Sequence, residues 1–235
     1  MKEIQIEPPA SNRRVPGTSH PLVAAAWQQV LALATMMTLV AGFVDAVGYV
    51  NLGQLYLSFM SGNTTRFGMA LAAGDDGVVV RGTAIIAMFV LGAFVGSLLS
   101  FCGGAHKLSI VLGSEILCFG AAYGLSTFAA GRFALLPIAL AMGMQNAIHQ
   151  AVSGADTGKS FITGTLFGVG DALAQVVIGR GHYAQAAVHA ASWLAFAGGV
   201  VLGALSLSRF GLDRALFMAI GVLAVMAIAA LPRRS

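Results

Sequence analysis

The chain has 235 residues, of which 57% are hydrophobic and only 9% are Asp, Glu, Lys or Arg. A soluble domain usually has about 25% charged residues, so this chain cannot cover itself with a charged shell, and we expect it to lie in a lipid bilayer. The net charge of +4 is spread singly between apolar runs. That distribution is typical of membrane topology signals and argues against nucleic acid as a partner.

A polar tail, residues 1–26, precedes the first apolar run and lacks the basic-then-apolar pattern of a cleaved signal peptide. We expect this tail to be flexible and cytoplasmic. Eight apolar runs follow, most of them near the roughly 20 residues that a membrane helix needs. They predict an all-α integral membrane protein with segments at about 27–51, 54–73, 84–103, 108–130, 133–151, 160–178, 186–208 and 212–232.

Short blocks of residues recur in the same order in the two halves of the chain. The first half has Gly42–Ala46, Phe59–Asn63 and Gly92–Gly96, and the second has the matching Gly143–Ala147, Phe161–Thr165 and Gly199–Gly203. We therefore expect residues 27–131 and 132–235 to be two repeats of four segments that form one membrane domain. In many transporters a site lies between two such halves.

The number of crossings depends on the second and sixth segments, which either cross fully or are re-entrant. Eight crossings would make the repeats parallel, and six would make them inverted. Six crossings place Lys2, Arg13, Arg14, Lys107, Lys159, Arg180, Arg233 and Arg234 inside, and Arg81, Arg132, Arg209 and Arg214 outside. Eight crossings exchange Lys107 and Lys159 for Arg81 and Arg132, so both topologies put the termini in the cytoplasm of an inner-membrane protein, and the positive-inside rule cannot choose between them.

A polar stretch interrupts the second segment and is the strongest candidate site. It contains Ser61, Gly62, Asn63, Thr64 and Arg66. Ser, Asn and Thr favour helix N-caps, which predicts an extended piece followed by a helix from near Ser61 to about Ala73. A helix that begins inside a membrane offers free N–H groups and a positive dipole end to a small polar or anionic solute. Alternatively, these small residues only permit close helix packing.

The matching place in the second half holds Thr163, Gly164 and Thr165, and Asp171 lies further along the same segment. Asp45, Glu115 and Asp171 all fall within apolar runs, where an ionised side chain needs a partner or water. Asn146 occupies the position that matches Asp45, whereas Glu115 has no counterpart. Asp45 and Asp171 could belong to a solute or proton path, or could form structural pairs.

Two Gly-x-x-x-Gly pairs, Gly92/Gly96 and Gly199/Gly203, predict close helix crossings within the chain or in a homo-oligomer. No His or Cys residues have the spacing of metal ligands, so we expect no metal site. Residues 153–160 resemble a phosphate-binding loop, but no buried strand precedes them, and we expect no cofactor.

The blocks Gly42–Tyr49, Phe59–Thr64 and Ala141–Ala147 resemble those of the YoaK family, bacterial polytopic membrane proteins classed as a domain of unknown function. The resemblance covers roughly residues 30–230. The second half departs from the family's commoner Thr-Gly-Asn in having Thr163-Gly164-Thr165. The resemblance implies an inner-membrane protein without an established substrate.

The preferred functional hypothesis is a small transporter or permease, with a site at the repeat interface drawn from both halves and with Asp45 as a candidate proton carrier. The first alternative is a membrane scaffold or accessory subunit that transports nothing. The second is an intramembrane enzyme, which is disfavoured because no nucleophile–base pair or metal set is recognisable.

Overall fold

A computed structural model describes the backbone of residues 21–128, 131, 133–153 and 161–230, and their side chains except at 21–30, 105, 148–153 and 161. These residues are all-helical, as predicted, with seven α-helices and one 3-10 turn, Gly104–His106. The helices are α1 (Pro21–Asn51), α2 (Met60–Ala73), α3 (Asp76–Cys102), α4 (Lys107–Phe128), α5 (Leu136–Ser153), α6 (Phe161–Val177) and α7 (Tyr183–Ala229).

Two helices, α1 and α3, begin well before the apolar pattern predicts. α1 begins at Pro21, so residues 21–26 are helical rather than part of a flexible tail, because proline is favoured in a first turn and alanines follow it. Residues 1–20 lie outside the described residues. α3 begins at Asp76 because the Asp75 side chain accepts a hydrogen bond from the backbone N–H of Val78 at 3.1 Å.

The helix α7 contains 47 residues, so a straight helix of this length would extend about 70 Å, more than twice the apolar thickness of a bilayer. The backbone breaks at Gly211, where φ is 79° and ψ is 176°. Residues 212–229 then run antiparallel to α4, because Ser109 Oγ donates to the carbonyl of Ala230 and Ser126 Oγ donates to Asp213 Oδ1, each at 3.3 Å. The predicted seventh and eighth segments are thus the two parts of α7.

Glycines bring two pairs of helices into backbone contact. In the pair α1 and α7, a Cβ atom on Gly42 would overlap the carbonyl oxygen of Phe196, and one on Gly199 would overlap that of Leu39. In the pair α3 and α5, the same is true of Gly143 with the carbonyl oxygen of Phe89, and of Gly92 with that of Leu140. Each crossing therefore needs glycine at the point of contact.

The four glycines of the Gly-x-x-x-Gly pairs are all buried within this chain. Gly96 lies against the backbone of Met144, and Gly203 lies against that of Phe43. Of the two uses predicted for these pairs, the structure describes the packing within the chain. Their use in a homo-oligomer stays a prediction.

In the described part of the chain, four helical stretches are long and apolar enough to cross a membrane: Leu31–Asn51, Asp76–Cys102, Lys107–Phe128 and Tyr183–Ala229. They expose large apolar side chains such as Phe94, Phe101, Leu117 and Val225, which water would not tolerate in such number. A lipid-facing surface accounts for this exposure. By contrast, α2 has only 14 residues and a length of about 21 Å.

Candidate functional site

Between α1 and α2, residues 52–59 form an irregular segment that turns back along α1. Leu55 and Leu57 of this segment are fully buried and lie against Gly48 of α1. The close approach is possible because Gly48 has no side chain, and its Cβ would lie 2.8 Å from Leu57 Cγ. We call residues 52–73, which comprise this segment and α2, the hairpin.

Asp45 binds the irregular segment of the hairpin. Its Oδ1 accepts the backbone N–H groups of Leu57 at 2.9 Å and of Ser58 at 2.6 Å, and its Oδ2 accepts the Ser58 hydroxyl at 2.9 Å. Asp45 is buried, with 2% of its surface exposed. One carboxylate therefore replaces the strand or helix partners that two backbone amides lack.

Asn63 joins α2 to the irregular segment of the hairpin. Its Oδ1 accepts the backbone N–H of Tyr56, and its Nδ2 donates to the carbonyl of the same residue, both at 2.8 Å. The amide thus pairs with Tyr56 much as a neighbouring strand would. Asn63 is completely buried, and we regard it as a structural part of the hairpin.

The helix α2 spans nearly the residues predicted for it, since it begins at Met60 and ends at Ala73. The predicted capping is wrong: Phe59 occupies the N-cap, and no side chain caps the first turn. Thr64 and Thr65 instead donate to carbonyls one turn earlier in the helix, those of Met60 and Ser61. Ser61 and Gly62 therefore lie in a first turn whose backbone amides no side chain covers.

Arg66 lies one turn into α2 and binds back to the beginning of the hairpin. Its two terminal nitrogens donate to Gln54 Oε1 at 2.6 Å and to the carbonyl of Gly53 at 3.0 Å. Its Nε is buried and has no partner among the described residues. Gly53 also lies near Arg81 of α3, whose Nη2 would be 3.3 Å from a Cβ on Gly53.

These contacts show that the hairpin enters and leaves at one end of the bundle. Its tip, at Leu57 and Ser58, reaches only to Asp45, about 9 Å before the end of α1. Gly53, Arg66 and Arg81 meet near the C-terminal end of α1 and the N-terminal end of α3. The end of α1 and the beginning of α3 therefore lie on the same side.

A pocket of about 350 Å³ opens at the beginning of α2. It is lined by the predicted Ser61, Gly62 and Arg66, and by residues that sequence reasoning did not assign to a site: Tyr49, Gln54, Tyr56, Phe59 and Thr65. The rings of Tyr49 and Tyr56 lie 5.4 Å apart, and those of Tyr56 and Phe59 lie 5.3 Å apart at 84°. The only signal for them was a pair of aromatics in a segment expected to be extended.

The tyrosines give the pocket a hydrogen-bond donor. The hydroxyl of a tyrosine has an ordinary pKa of about 10, so the phenol of Tyr56 keeps its proton at neutral pH. Together with the guanidinium of Arg66 and the beginning of α2, it makes the pocket suitable for an anionic or strongly polar group.

The candidate residues of the second half lie elsewhere. α6 packs on α7, with Gly168 against the ring of His189, whereas α2 packs on α3. Thr165 is buried and donates to the carbonyl of Ile162, while Thr163 is exposed and Gly164 is half-buried. Asp171 is exposed and accepts a hydrogen bond from Gln175 at 2.8 Å.

The structure thus brings together Asp45 and the residues of the hairpin but does not join them to the α6 group in one pocket. Asn146 is exposed and donates to the carbonyl of Met142 on its own helix, and the residues that match the hydrogen-bond partners of Asp45 lie outside the described residues. Residues 154–160, which precede α6, lie outside the described residues. Within the described part of the chain, no cluster of three or more potential metal ligands occurs.

Comparison with known proteins supports the family resemblance. The chain is 30% identical over 188 residues to the UPF0700 transmembrane protein RA0705 of Rhizobium meliloti (strain 1021). The aligned region covers 80% of each of the two chains. It is 24% identical over 152 residues to the UPF0700 transmembrane protein YoaK of Bacillus subtilis (strain 168), with coverage of 62% of this chain and 67% of that protein. No solved structure matches it.

The sequence profile of the family described as "Protein of unknown function (DUF1275)" matches residues 33–229, which include every helix from α2 to α7 and most of α1. Both relatives are transmembrane proteins by name, in agreement with the apolar, lipid-facing helices described above. The chain therefore belongs to the DUF1275 family of transmembrane proteins, the family that includes YoaK.

Proposed function

We propose that the chain crosses the inner membrane six times, with both termini in the cytoplasm and with α2 and α6 as re-entrant helices. The hairpin supports this topology because its two ends lie on one side of the bundle. The antiparallel contact of α4 with residues 212–229 supports it too, because these are the fourth segments of the two halves. Parallel repeats would make those two segments run in the same direction, whereas inverted repeats make them antiparallel.

The glycine crossings support an internal duplication independently of the sequence blocks. Gly42 meets the carbonyl of Phe196, and the residues that match them, Gly143 and Phe89, meet in the same way. Gly199 meets the carbonyl of Leu39, just as Gly92 meets that of Leu140. The two crossings are therefore equivalent contacts between equivalent residues, as expected if each half supplies the same helices.

The proposed function is a small transporter or permease without a catalytic step. The observation that carries it is the pocket at the beginning of α2. Irregular backbone at membrane depth is tolerated only where protein buries it or where it lines a water-filled cavity. In the hairpin, Leu55 and Leu57 are buried, and Tyr56 and Phe59 line the pocket. Discontinuous helices whose N-terminal ends face a cavity are the usual solute sites of transporters with inverted repeats.

The lining of the pocket indicates the class of solute. Arg66 provides positive charge, Tyr56 provides a donor, and the first turn of α2 provides uncapped amides, while Tyr49 and Phe59 offer apolar ring surfaces. A small anion, such as a short carboxylate with an apolar part, matches this combination better than a cation or a sugar.

Purified protein in liposomes tests the proposal directly. Uptake of radiolabelled inorganic phosphate, sulfate and short-chain carboxylates would be measured with and without an imposed pH gradient, so that electroneutral transport is also detected. We expect uptake of at least one of these anions, its loss in Arg66→Ala, and its retention in Arg209→Ala, which removes an exposed arginine at the break of α7. Equal uptake by both variants would exclude the pocket as the solute site.

A scaffold or accessory subunit is the second candidate, favoured by the fully satisfied hydrogen bonds of Asp45 and Asn63. It predicts that substitutions in the hairpin lower stability but that the native protein takes up none of the anions.

A further inference from the structure

Glu115 lies in the middle of α4 and is completely buried, with 0% of its surface exposed. Neither carboxyl oxygen has a hydrogen-bond partner among the described residues. Glu115 lies about 12 Å from the beginning of α4, well inside the apolar part of the bundle. Unlike Asp45, which has three donors, Glu115 has nothing in its described surroundings that would stabilise a negative charge.

The described side chains of the helices around Glu115 bring no charge to it. The hydrogen bonds of Ser109 and Ser126 fix the register of α4 with residues 212–229, which places Glu115 level with the buried Leu223 and Met226 in the C-terminal half of that stretch. The two charged residues of this stretch of α7, Asp213 and Arg214, lie at its N-terminal end, beside Ser126.

The described side chains of the remaining neighbours are equally apolar or neutral. α3 has no ionisable residue between Arg81 and Cys102, which lie at its two ends. The described side chains of α5 include two neutral amides, Gln145 and Asn146, and no ionisable group. The side chain of His149 lies outside the described residues. On α4 itself, the titratable residue within one turn of Glu115 is the thiol of Cys118, while Lys107 lies two turns away at the beginning of the helix, next to His106.

We propose that Glu115 is a proton-binding site and carries its proton in the resting protein. An isolated carboxylate in an apolar interior costs far more free energy than the neutral acid, so the group keeps a proton instead of its charge. This assigns the proton to Glu115 rather than to Asp45, because Oδ1 of Asp45 accepts two backbone N–H groups, which favour its charged form. The role of the proton in coupling rests on the proposed transport function, whereas its presence does not.

Dicyclohexylcarbodiimide tests the protonation without any flux, because it reacts with protonated carboxyl groups in apolar surroundings. The protein in liposomes would be treated with this reagent at several pH values, and the modified peptides would be identified by mass spectrometry. We expect modification of Glu115, a decrease as the pH rises, and its loss in Glu115→Gln. Asp45 serves as the internal control and should stay unmodified at neutral pH.

Infrared spectroscopy provides a second measurement if the reagent fails to reach the site. The native protein should show the carbonyl band of a protonated carboxylic acid, and Glu115→Gln should lack it. The proposal would be overturned if Glu115 stayed unmodified and the infrared spectra of the native protein and Glu115→Gln showed no difference in this band.

The flux assay then separates this inference from the proposed function. If both hold, Glu115→Gln should exchange anions across the membrane but lose accumulation driven by a pH gradient. Modification of Glu115 in a protein that moves none of the anions would support the proton site and contradict the transporter. Proton-driven accumulation that persists in Glu115→Gln would contradict the coupling role.

Discussion

Two acidic residues in the apolar helices have opposite surroundings, although both were predicted to need a partner. Asp45 is held by two backbone amides and a hydroxyl, whereas Glu115 has no partner in the described part of the chain. Sequence alone could not separate them, because the partners of Asp45 lie 12 and 13 residues away in a segment without regular structure. The two carboxyl groups differ because the irregular segment turns back along α1 and brings donors to Asp45. The local pattern of apolar residues does not show this.

The substitution Asp45→Asn should destabilise the protein. It removes the charge from three hydrogen bonds and directs an amide N–H₂ toward a donor, at a cost of about 1–3 kcal/mol. We expect a lower midpoint of thermal unfolding in detergent, measured against Asp76→Asn. Asp76 is exposed at the beginning of α3, so its neutralisation should change the midpoint little. Similar midpoints for the two variants would mean that Asp45 does not hold the hairpin.

The replacement Glu115→Leu should have the opposite effect on stability. It exchanges a buried polar group without described partners for an apolar side chain of similar volume, which is often neutral or stabilising. The midpoint of thermal unfolding should stay equal or rise. A marked fall would show that the carboxyl has a stabilising partner after all.

At the scale of helices, the crossings of α1 with α7 and of α5 with α3 depend on the glycines at their points of contact. Adjacent residues of α7 provide a matched test: a Cβ on Gly199 would overlap the carbonyl oxygen of Leu39, but one on Gly198 would meet nothing within 4 Å. Gly199→Ala should therefore cost about 1–3 kcal/mol of stability through overpacking. Gly198→Ala should be neutral or slightly stabilising, because alanine favours helix more than glycine does. Unfolding midpoints of the two variants in the same detergent would decide this, and equal values would contradict the crossing.

Helix boundaries show how far sequence reasoning reaches at this scale. The polar interruption at Ser61 correctly predicted a helix that ends at Ala73, because polar residues rarely lie within an apolar span without a structural reason. It did not predict that Asn63 would pair with Tyr56 across the hairpin, or that Phe59 would occupy the N-cap. Those features depend on which backbone groups the irregular segment leaves without partners, and apolar periodicity carries no such information.

At the scale of the whole molecule, the proposed topology can be tested by the accessibility of single cysteines. Asp76 and His106 are exposed at opposite ends of α3, and Gly131 is exposed between α4 and α5. In a background that lacks Cys102 and Cys118, six crossings predict labelling of D76C and G131C, but not of H106C, by a membrane-impermeant maleimide in intact cells. Eight crossings predict the reverse. Gly74 and Gly104 would be poor sites, because their φ angles of 70° and 51° strain any other residue.

The pairing of α1 with α7, and of α5 with α3, also constrains how the protein is made. While a ribosome delivers the chain from its N-terminus, Gly42 has no helix to meet until Phe196 and Gly199 have left the exit tunnel. At about 5–20 residues per second, this delay is on the order of ten seconds. During that time α1 must wait in lipid or beside the insertion machinery with its contact face uncovered. Completion of the last helices, rather than insertion of the first, would then commit the chain to its native structure, and newly made chains truncated before α7 should be preferred substrates of membrane quality-control proteases.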